Sequence, residues 1–236
     1  VTAISPNVEN YLLKTAKIRR EKVQLISNGV LIPRLDSGVE MDEIKIGLGI
    51  KEDDFVVGFV GRFFNDHKRI TDLVEAVSLI QDKRIKLLLV GDGRDREIVV
   101  SKIQSLEISD QVILVGFQAD PSHFYFIMDV LCIPSSREGF GLVAVEGMLH
   151  ALPVIATKVG GLQDVILDNQ TGFLVPPYSP QSIAEKIQFL IDQPELRKRM
   201  GDKGKQRALQ HFTAERYCRD VENLYLDLLE SKGIEV

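Results

Sequence analysis

From residue 55 onward, short apolar segments rich in β-branched residues alternate with longer segments of helical periodicity. The apolar segments span residues 55–60, 85–90, 112–115, 129–133, 153–157 and 172–175. The helix-period segments span residues 68–80, 94–106, 121–128, 141–150 and 180–192. Strands that alternate with helices form βαβ units and therefore a parallel sheet. The pattern predicts an α/β fold, in which a Rossmann-like parallel sheet carries helices on both faces.

The strand segments also predict where a ligand would bind. Residues 87–90 are apolar at every position, as expected of a strand that is covered on both faces. Glycines follow two of the strands, at Gly91 and at Gly160 and Gly161. Because open α/β sheets bind their ligands at the carboxyl ends of the strands, we expect a binding crevice at this edge.

The two ends of the chain differ from this central pattern. Residues 1–5 and 23–27 are strand-like and flank a helix-like stretch, and residues 31–45 have an irregular pattern. Residues 194–209 and 213–231 have the pattern of two consecutive helices, the second with an apolar stripe. We therefore divide the chain into residues 1–45, 46–210 and 211–236.

Charge and composition argue against several kinds of function. The formal net charge of −5 disfavours a broad basic surface for nucleic acid. The two cysteines, Cys132 and Cys218, do not have the spacing of a metal site. The sequence shows neither a signal peptide nor an apolar run near 18 residues, so we expect a cytoplasmic protein.

The segment from Ser135 to Glu146 carries the strongest chemical signal. It turns at Gly139 and Gly141 into a predicted helix, whose free N–H groups and positive dipole end suit a diphosphate. Glu138 lies in the loop, and Glu146 follows one turn after the start of the helix, on the same face. The two carboxylates could therefore hold hydroxyl groups at opposite ends of a ligand, although two such glutamates alone are usually solvated surface residues.

An anion held between two carboxylates needs compensating cations. Arg62 ends the first core strand, and Lys68 is predicted to start the next helix, at the same edge of the sheet as Glu138. Arg62 can bind a phosphate as a fork, and Lys68 as a point charge. Each alone would be an ordinary surface charge, and we interpret the neighbouring His67 as a solvated loop residue.

Taken together, these blocks resemble the family 4 glycosyltransferases over residues 50–215. The blocks that carry the resemblance, in their order along the chain, are Gly61-Arg62 with its following lysine and residues 89–93, 115–117, 134–146, 152–156, 160–161 and 171–175. Two positions depart from the family pattern: Ala151 replaces a usual glycine, where its similar size predicts little effect, and Gly147 replaces a usual alanine. The glycine should weaken its helix by about 1 kcal/mol.

The resemblance implies a retaining hexosyltransferase of the GT-B fold that uses a nucleoside diphosphate sugar and needs no metal or other cofactor. Glu138 would contact the hydroxyls of the donor sugar, together with the backbone of Gly139 and Phe140. Arg62 and Lys68 would neutralise the leaving diphosphate. These three charged side chains are the implied catalytic residues.

The resemblance also implies the other donor contacts. Leu142 and Val143 would offer backbone amides to the diphosphate, and Glu146 would hold the ribose hydroxyls. Residues around Gly116 and Phe117 would flank the base. The implied donor-binding residues are Gly61, Gly116, Phe117, Gly139, Phe140, Gly141, Leu142, Val143 and Glu146.

Family members have two Rossmann-like domains, and this chain resembles the C-terminal, donor-binding one. Residues 1–45 would be the end of the N-terminal acceptor domain and the crossover, and residues 211–236 a helix that packs back on that domain. The chain would then be part of a longer protein, a subunit of a split enzyme or a remnant, with low activity by itself. Membrane contact, if any, would come from the missing half, and the base, the sugar and the acceptor (a glycan, a lipid or a small molecule) stay open.

Two other hypotheses remain at this point. The chain could be a non-catalytic nucleotide-sugar-binding or scaffolding subunit that needs a partner with the acceptor domain. It could also belong to another GT-B enzyme, such as an epimerase or a phosphorylase. The glycine-rich turn between the two glutamates favours the transferase, and we find no site for the pyridoxal cofactor that a phosphorylase would carry.

Overall fold

A computed structural model describes residues 1–32 and 41–233 of the chain. Its strands are β1 (Thr2–Ala3), β2 (Gln24–Leu25), β3 (Phe55–Val60), β4 (Ile85–Val90), β5 (Val112–Gly116), β6 (Val130–Ile133), β7 (Val154–Thr157) and β8 (Gly172–Val175). Its helices are α1 (Pro6–Lys14), α2 (Met41–Gly47), α3 (Asn65–Lys68), α4 (Ile70–Ser78), α5 (Arg96–Ser105), α6 (Ser122–Tyr125), α7 (Leu142–Leu149), α8 (Leu162–Val165), α9 (Pro180–Asp192), α10 (Pro194–His211) and α11 (Ala214–Glu230).

The predicted α/β fold is confirmed, because β3 to β8 form one sheet in which every neighbouring pair is parallel. The spatial order is β5-β4-β3-β6-β7-β8, so the chain builds outward from β3 in one direction and then restarts beside it with β6. This is the doubly wound order, and its topological switch point lies between β3 and β6. A ligand crevice is therefore expected at the carboxyl ends of these two strands.

Both faces of the sheet are buried, as the apolar strand at 87–90 predicted. Leu87 and Leu89 of β4 pack on the side of α4, α5 and α9, whereas Leu88 and Val90 pack on the side of α7 and α10. The alternation follows from the period of two along a strand. The loops and helices that carry the site therefore extend from a tightly packed sheet.

Residues 41–45 and 121–128 differ from their predicted local structure. Residues 41–45 were predicted to be irregular, but Met41 begins α2; residues 33–40 of the same prediction lie outside the described residues. The helix predicted over 121–128 is helical only over Ser122–Tyr125. Short helices of this kind depend on tertiary packing, because a single turn gains little from propensity.

The two departures from the family pattern have backbone and packing consequences that residue size alone does not predict. Ala151 adopts a φ of 57°, a left-handed conformation that costs a residue with a Cβ atom about 1 kcal/mol. Similar size therefore does not make alanine equivalent to glycine here. At Gly147, a Cβ atom would lie 2.4 Å from Cδ2 of the buried Leu131, so this glycine lets α7 approach β6 closely.

The ends of the chain pack against this frame at two places. The segment before α1 reaches the loop after β6, where the hydroxyl of the buried Ser5 donates to the carbonyl of Gly139 at 3.2 Å. Val30 is hydrogen-bonded to the α10–α11 junction, since its N–H donates to the carbonyl of Phe212 at 2.8 Å. By contrast, α11 buries none of its residues in the described structure.

Candidate functional site

The loops that follow β3 and β6 are bonded to each other at the switch point. The N–H of Ser136 donates to the carbonyl of His67 at 2.7 Å, and its hydroxyl donates to the carbonyl of Asp66 at 2.8 Å. Thr157, at the end of β7, donates its hydroxyl to the carbonyl of Ser135. These bonds hold the segment around Lys68 beside the segment around Glu138, although 70 residues separate the two side chains.

Lys68 and Glu138 form an ion pair in which Nζ lies 2.6 Å from Oε2, and both side chains are largely buried. Lys68 was predicted to begin the next helix, and this prediction was wrong, because Lys68 ends α3 and α4 begins at Ile70. The break between α3 and α4 is at Arg69, which has a φ of 49°. The guanidinium of Arg69 is held by both carboxylate oxygens of Asp72, at 3.0 and 2.6 Å, and this contact stabilises the turn that orients Lys68.

A cavity of about 760 Å³ lies against this ion pair. Three basic side chains line it, Arg62, Lys68 and Arg137, together with the carboxylate of Glu138. Arg62 lines the cavity, and its guanidinium forms neither an ion pair nor a hydrogen bond with the described residues. The cavity therefore carries an excess of positive charge.

His67 lies in α3 and lines the same cavity, whereas the sequence favoured a solvated loop residue. Its ring stacks on Phe64 with the centroids 4.5 Å apart and an interplanar angle of 24°. No periodic signal in the sequence assigns His67 or Arg137 to the site.

A second cavity of about 350 Å³ shares Lys68, Glu138 and Gly139 with the first and continues to the start of α7. Its other predicted donor-binding residues are Phe140, Gly141, Leu142 and Val143. No side chain caps the N-terminus of α7, so its first N–H groups are available to a ligand.

Gly141 and Phe140 shape this second cavity in different ways. Gly141 has a φ of 98°, and a Cβ atom there would lie 2.7 Å from Cδ2 of Leu162. The side chain of Phe140 is buried and packs edge-on against Phe212 with the ring centroids 5.6 Å apart. The turn is therefore held from below by an aromatic contact, and its backbone can face the ligand.

Glu146 lies in a third cavity, of about 900 Å³, further along the face of α7 that begins at Leu142. Its Oε2 accepts a hydrogen bond of 2.5 Å from the hydroxyl of Tyr125. Asp120, Glu215 and His150 also line this cavity, and no lysine or arginine does so among the described residues. The third cavity is therefore electronegative, in contrast to the first.

Two titratable groups beside Glu146 have shifted pKa values. Burial raises the pKa of the Tyr125 phenol, and the charge of Glu146 raises it further, so Tyr125 stays a neutral donor. Burial lowers the pKa of His150, against the opposing effect of its bond to the carbonyl of Glu146. No sequence signal pointed to either residue, because their role depends on the packing of α6 against the end of α7.

Three predicted donor-binding residues, Gly61, Gly116 and Phe117, do not line these cavities, although Val60 and Arg62 on either side of Gly61 do. Gly61, Gly91 and Gly116 sit side by side at strand ends, where the N–H of Gly91 donates to the carbonyl of Gly116 at 2.9 Å. A Cβ atom on Gly91 would lie 1.9 Å from the carbonyl oxygen of Gly61, so the glycine at position 91 allows these two strand ends to pack closely. Phe117 is 75% exposed and, like Gly61 and Gly116, lines none of the three cavities.

The described residues contain no group of three or more His, Cys, Asp or Glu side chains that could hold a metal ion. Both cysteines are free thiols, Cys132 in the core and Cys218 on the surface. In the part of the chain that the structure describes, no helix combines the length and the apolar composition needed to cross a membrane.

A comparison with known protein families shows which family the chain belongs to. The family model described as "Glycosyl transferases group 1" matches residues 40–207. This range includes the four predicted charged residues of the site, Arg62, Lys68, Glu138 and Glu146. The chain belongs to this family. The expected resemblance to GT-B glycosyltransferases is thereby confirmed.

Individual relatives agree with this assignment. The capsular polysaccharide biosynthesis glycosyltransferase CapM of Staphylococcus aureus is 31% identical over 99% of this chain and 63% of its own length. The N-acetyl-alpha-D-glucosaminyl L-malate synthase of Bacillus anthracis is 29% identical over 97% of this chain and 60% of its own length. The chain thus spans less than two thirds of the length of these relatives.

Two solved structures have the same fold. HepE (Alr3699) of Anabaena, in complex with UDP, superposes with a TM-score of 0.87 at 25% identity, over 95% of this chain and 63% of that one. The sucrose-phosphate synthase of Thermosynechococcus elongatus superposes with a TM-score of 0.87 at 31% identity, over 98% of this chain and 58% of that one.

Proposed function

We propose that this chain is the donor-binding half of a retaining glycosyltransferase, which transfers a sugar from a nucleoside diphosphate to an acceptor hydroxyl. The observation that carries the proposal is the meeting of Arg62, Lys68, Glu138 and the uncapped start of α7 around two adjoining cavities at the switch point. A sugar diphosphate presents anionic oxygens beside hydroxyl groups. The cations and the helix N–H groups can bind the anionic oxygens, and the carboxylate can bind the hydroxyl groups.

The charge distribution supports one orientation of this ligand. The diphosphate would lie at Leu142 and Val143, within reach of Lys68 and Arg62, and the sugar would lie at Glu138. The ribose would then reach along α7 to Glu146, where an electronegative cavity favours hydroxyl donors over phosphates.

The chemistry follows from the same distribution of charge. Breaking the glycosidic bond places negative charge on the leaving diphosphate, which Arg62, Lys68 and the start of α7 would stabilise as fixed electrostatic groups. Glu138 is engaged by Lys68 at 2.6 Å, which suits a residue that binds hydroxyl groups better than a nucleophile. We propose that the acceptor attacks from the side of the leaving group and that no metal takes part.

The relatives support a nucleotide donor and leave the acceptor open. HepE has been crystallised with UDP, with UDP and glucose, and with UDP-glucose, which makes UDP the first nucleotide to test. Since α11 buries none of its residues, we propose that it packs against an acceptor-binding half. Without that half the cleft is open to water, so turnover by this chain would be slow.

The test is a thermal-shift panel with UDP, GDP, ADP and their common sugar conjugates, for the wild type and for Glu146→Ala. A ligand at 100 times its dissociation constant should stabilise the folded chain by about 2.7 kcal/mol. We expect a shift for one base, weakened in Glu146→Ala and retained in the control Glu52→Ala, an exposed glutamate outside the site. No shift with any ligand would contradict the proposal.

A second measurement separates the transferase from a non-catalytic binding subunit. We expect the wild type to release nucleoside diphosphate slowly from the sugar conjugate that it binds, and Arg62→Met to abolish this release. Tight binding of the conjugate without any release would instead support a scaffolding or binding role.

A further inference from the structure

The hydroxyl of Tyr125 donates a hydrogen bond to one oxygen of the Glu146 carboxylate. Tyr125 is 1% exposed, and its hydroxyl donates to Oε2 of Glu146 at 2.5 Å. Among the described residues, this is the sole hydrogen bond to the Glu146 carboxylate, so Oε1 has no protein partner there. Both side chains line the third cavity, and the free oxygen is therefore the one available to a ligand.

Tyr125 is itself held in place by His150. The two rings stack with their centroids 4.9 Å apart and an interplanar angle of 26°, and Phe126 packs edge-on against His150 at 4.6 Å. Nδ1 of His150 lies 2.7 Å from the carbonyl oxygen of Glu146. Because a carbonyl oxygen only accepts, Nδ1 carries the proton, and the imidazole is anchored to the residue whose carboxylate Tyr125 holds.

A phenol suits this role because it orients a carboxylate without cancelling its charge. A lysine in the same place would form an ion pair, as Lys68 does with Glu138, and would compete with a neutral hydroxyl donor. A hydrogen bond to one oxygen restricts rotation of the carboxylate and leaves the full acceptor strength of the other. A glutamate without this restraint would lose its rotational entropy when it binds a ligand, which would weaken the binding.

We propose that Tyr125 is a positioning residue that sets selectivity for the ribose, by holding Oε2 of Glu146 so that Oε1 meets a ribose hydroxyl. The inference rests on the proposed function, in which Glu146 binds the nucleoside end of the donor. It adds a residue outside the glutamate pair and predicts a measurable discrimination between ribonucleotides and deoxyribonucleotides.

The experiment compares the dissociation constants of UDP, 2′-deoxy-UDP and 3′-deoxy-UDP by calorimetry at one salt concentration. We expect the wild type to prefer UDP over at least one deoxy analogue by about tenfold, since a hydrogen bond to a charged group is involved. Tyr125→Phe should reduce this preference to about threefold by weakening UDP alone. The control Tyr11→Phe, at an exposed tyrosine of α1, should keep the full preference.

A double-mutant cycle shows whether Tyr125 acts through Glu146. In the background of Glu146→Gln, the effect of Tyr125→Phe on the UDP to deoxy-UDP ratio should disappear, because the oriented carboxylate is gone. If Tyr125→Phe fails to fold by circular dichroism, His150→Leu serves as the second variant. It keeps the hydroxyl but removes the stacked ring, and it should also reduce the preference.

Each remaining outcome has a definite meaning. Equal weakening of UDP and both deoxy analogues in Tyr125→Phe would overturn the inference and assign Tyr125 a packing role. A wild type that binds UDP without any ribose preference would overturn the inference and leave the donor proposal standing. A wild type that binds no nucleoside diphosphate of any base would overturn both.

Discussion

Glu138 and Glu146 border the same turn, but their carboxylates lie in opposite electrostatic surroundings. Glu138 is paired with the ammonium of Lys68 in a cavity that Arg62 and Arg137 also line. Glu146 accepts a hydrogen bond from a neutral phenol in a cavity that contains further carboxylates. The comparison shows that two glutamates of one motif can serve different groups, since one end of the site can accept an anion and the other favours hydroxyl donors.

The largest expected effect comes from a backbone clash that displaces the loop of Glu138. At Gly160, a Cβ atom would lie 1.7 Å from the carbonyl oxygen of Glu138, and the φ is 47°. We expect Gly160→Ala to lower the free energy of unfolding by about 2 to 3 kcal/mol and to abolish UDP binding, because the Glu138 loop must move.

The matched control is Gly201→Ala, whose Cβ atom would lie 1.9 Å from the carbonyl oxygen of Ala151, away from Glu138. It should reduce stability in urea unfolding by a similar amount but keep UDP affinity at temperatures where it is folded. Loss of UDP binding in both folded variants would mean that the loop of Glu138 is not specifically required.

The next largest effect should follow from removing the Lys68 ammonium, which pairs with Glu138. Lys68→Met should weaken UDP binding by about ten- to a hundredfold, because a charge-assisted contact is lost and Glu138 is left to repel the diphosphate. The salt dependence of binding should decrease in parallel. Titration calorimetry with Lys83→Met, an exposed lysine outside the site, provides the control, and equal affinities would contradict the prediction.

A smaller effect of opposite sign would sharpen the comparison between the two glutamates. Glu138→Gln should tighten binding of UDP by about threefold, since Lys68 is released and a repulsive charge is removed. The additional affinity of UDP-glucose over UDP should decrease at the same time. Glu146→Gln should not tighten UDP binding, and an equal gain in both variants would mean that the two ends are not electrostatically distinct.

The smallest expected effect is a pH dependence of stability on the Glu146 side. Burial lowers the pKa of His150 in the folded chain, with Lys205 lowering it further and Asp120 opposing the shift. The unfolded chain therefore takes up the proton first, and stability falls as the pH decreases below about 6.5. His150→Gln should flatten this loss between pH 7 and pH 5 in urea unfolding, and an unchanged slope would contradict the prediction.

Much of the frame could be predicted because its signals are local. The segments 55–60, 85–90 and 172–175 are strands as predicted, since short segments that are mostly apolar and alternate with helical periodicity have few alternatives. The meeting of Arg62, Lys68 and Glu138 could also be predicted, because carboxyl ends of parallel strands share one edge of the sheet. Within this group of three residues, the position of Lys68 at the end of α3 departed from expectation.

The sequence by itself therefore determined the order of the strands and helices, the edge of the sheet that carries the site, and the residue types that meet there. The tertiary structure alone decided the partners of those residues: Lys68 for Glu138, Tyr125 for Glu146, and the close packing of Gly91 on Gly61. The reason is physical. Periodicity and turn chemistry depend on neighbours within a few residues, whereas a side-chain hydrogen bond across 21 or 70 residues depends on how whole elements pack.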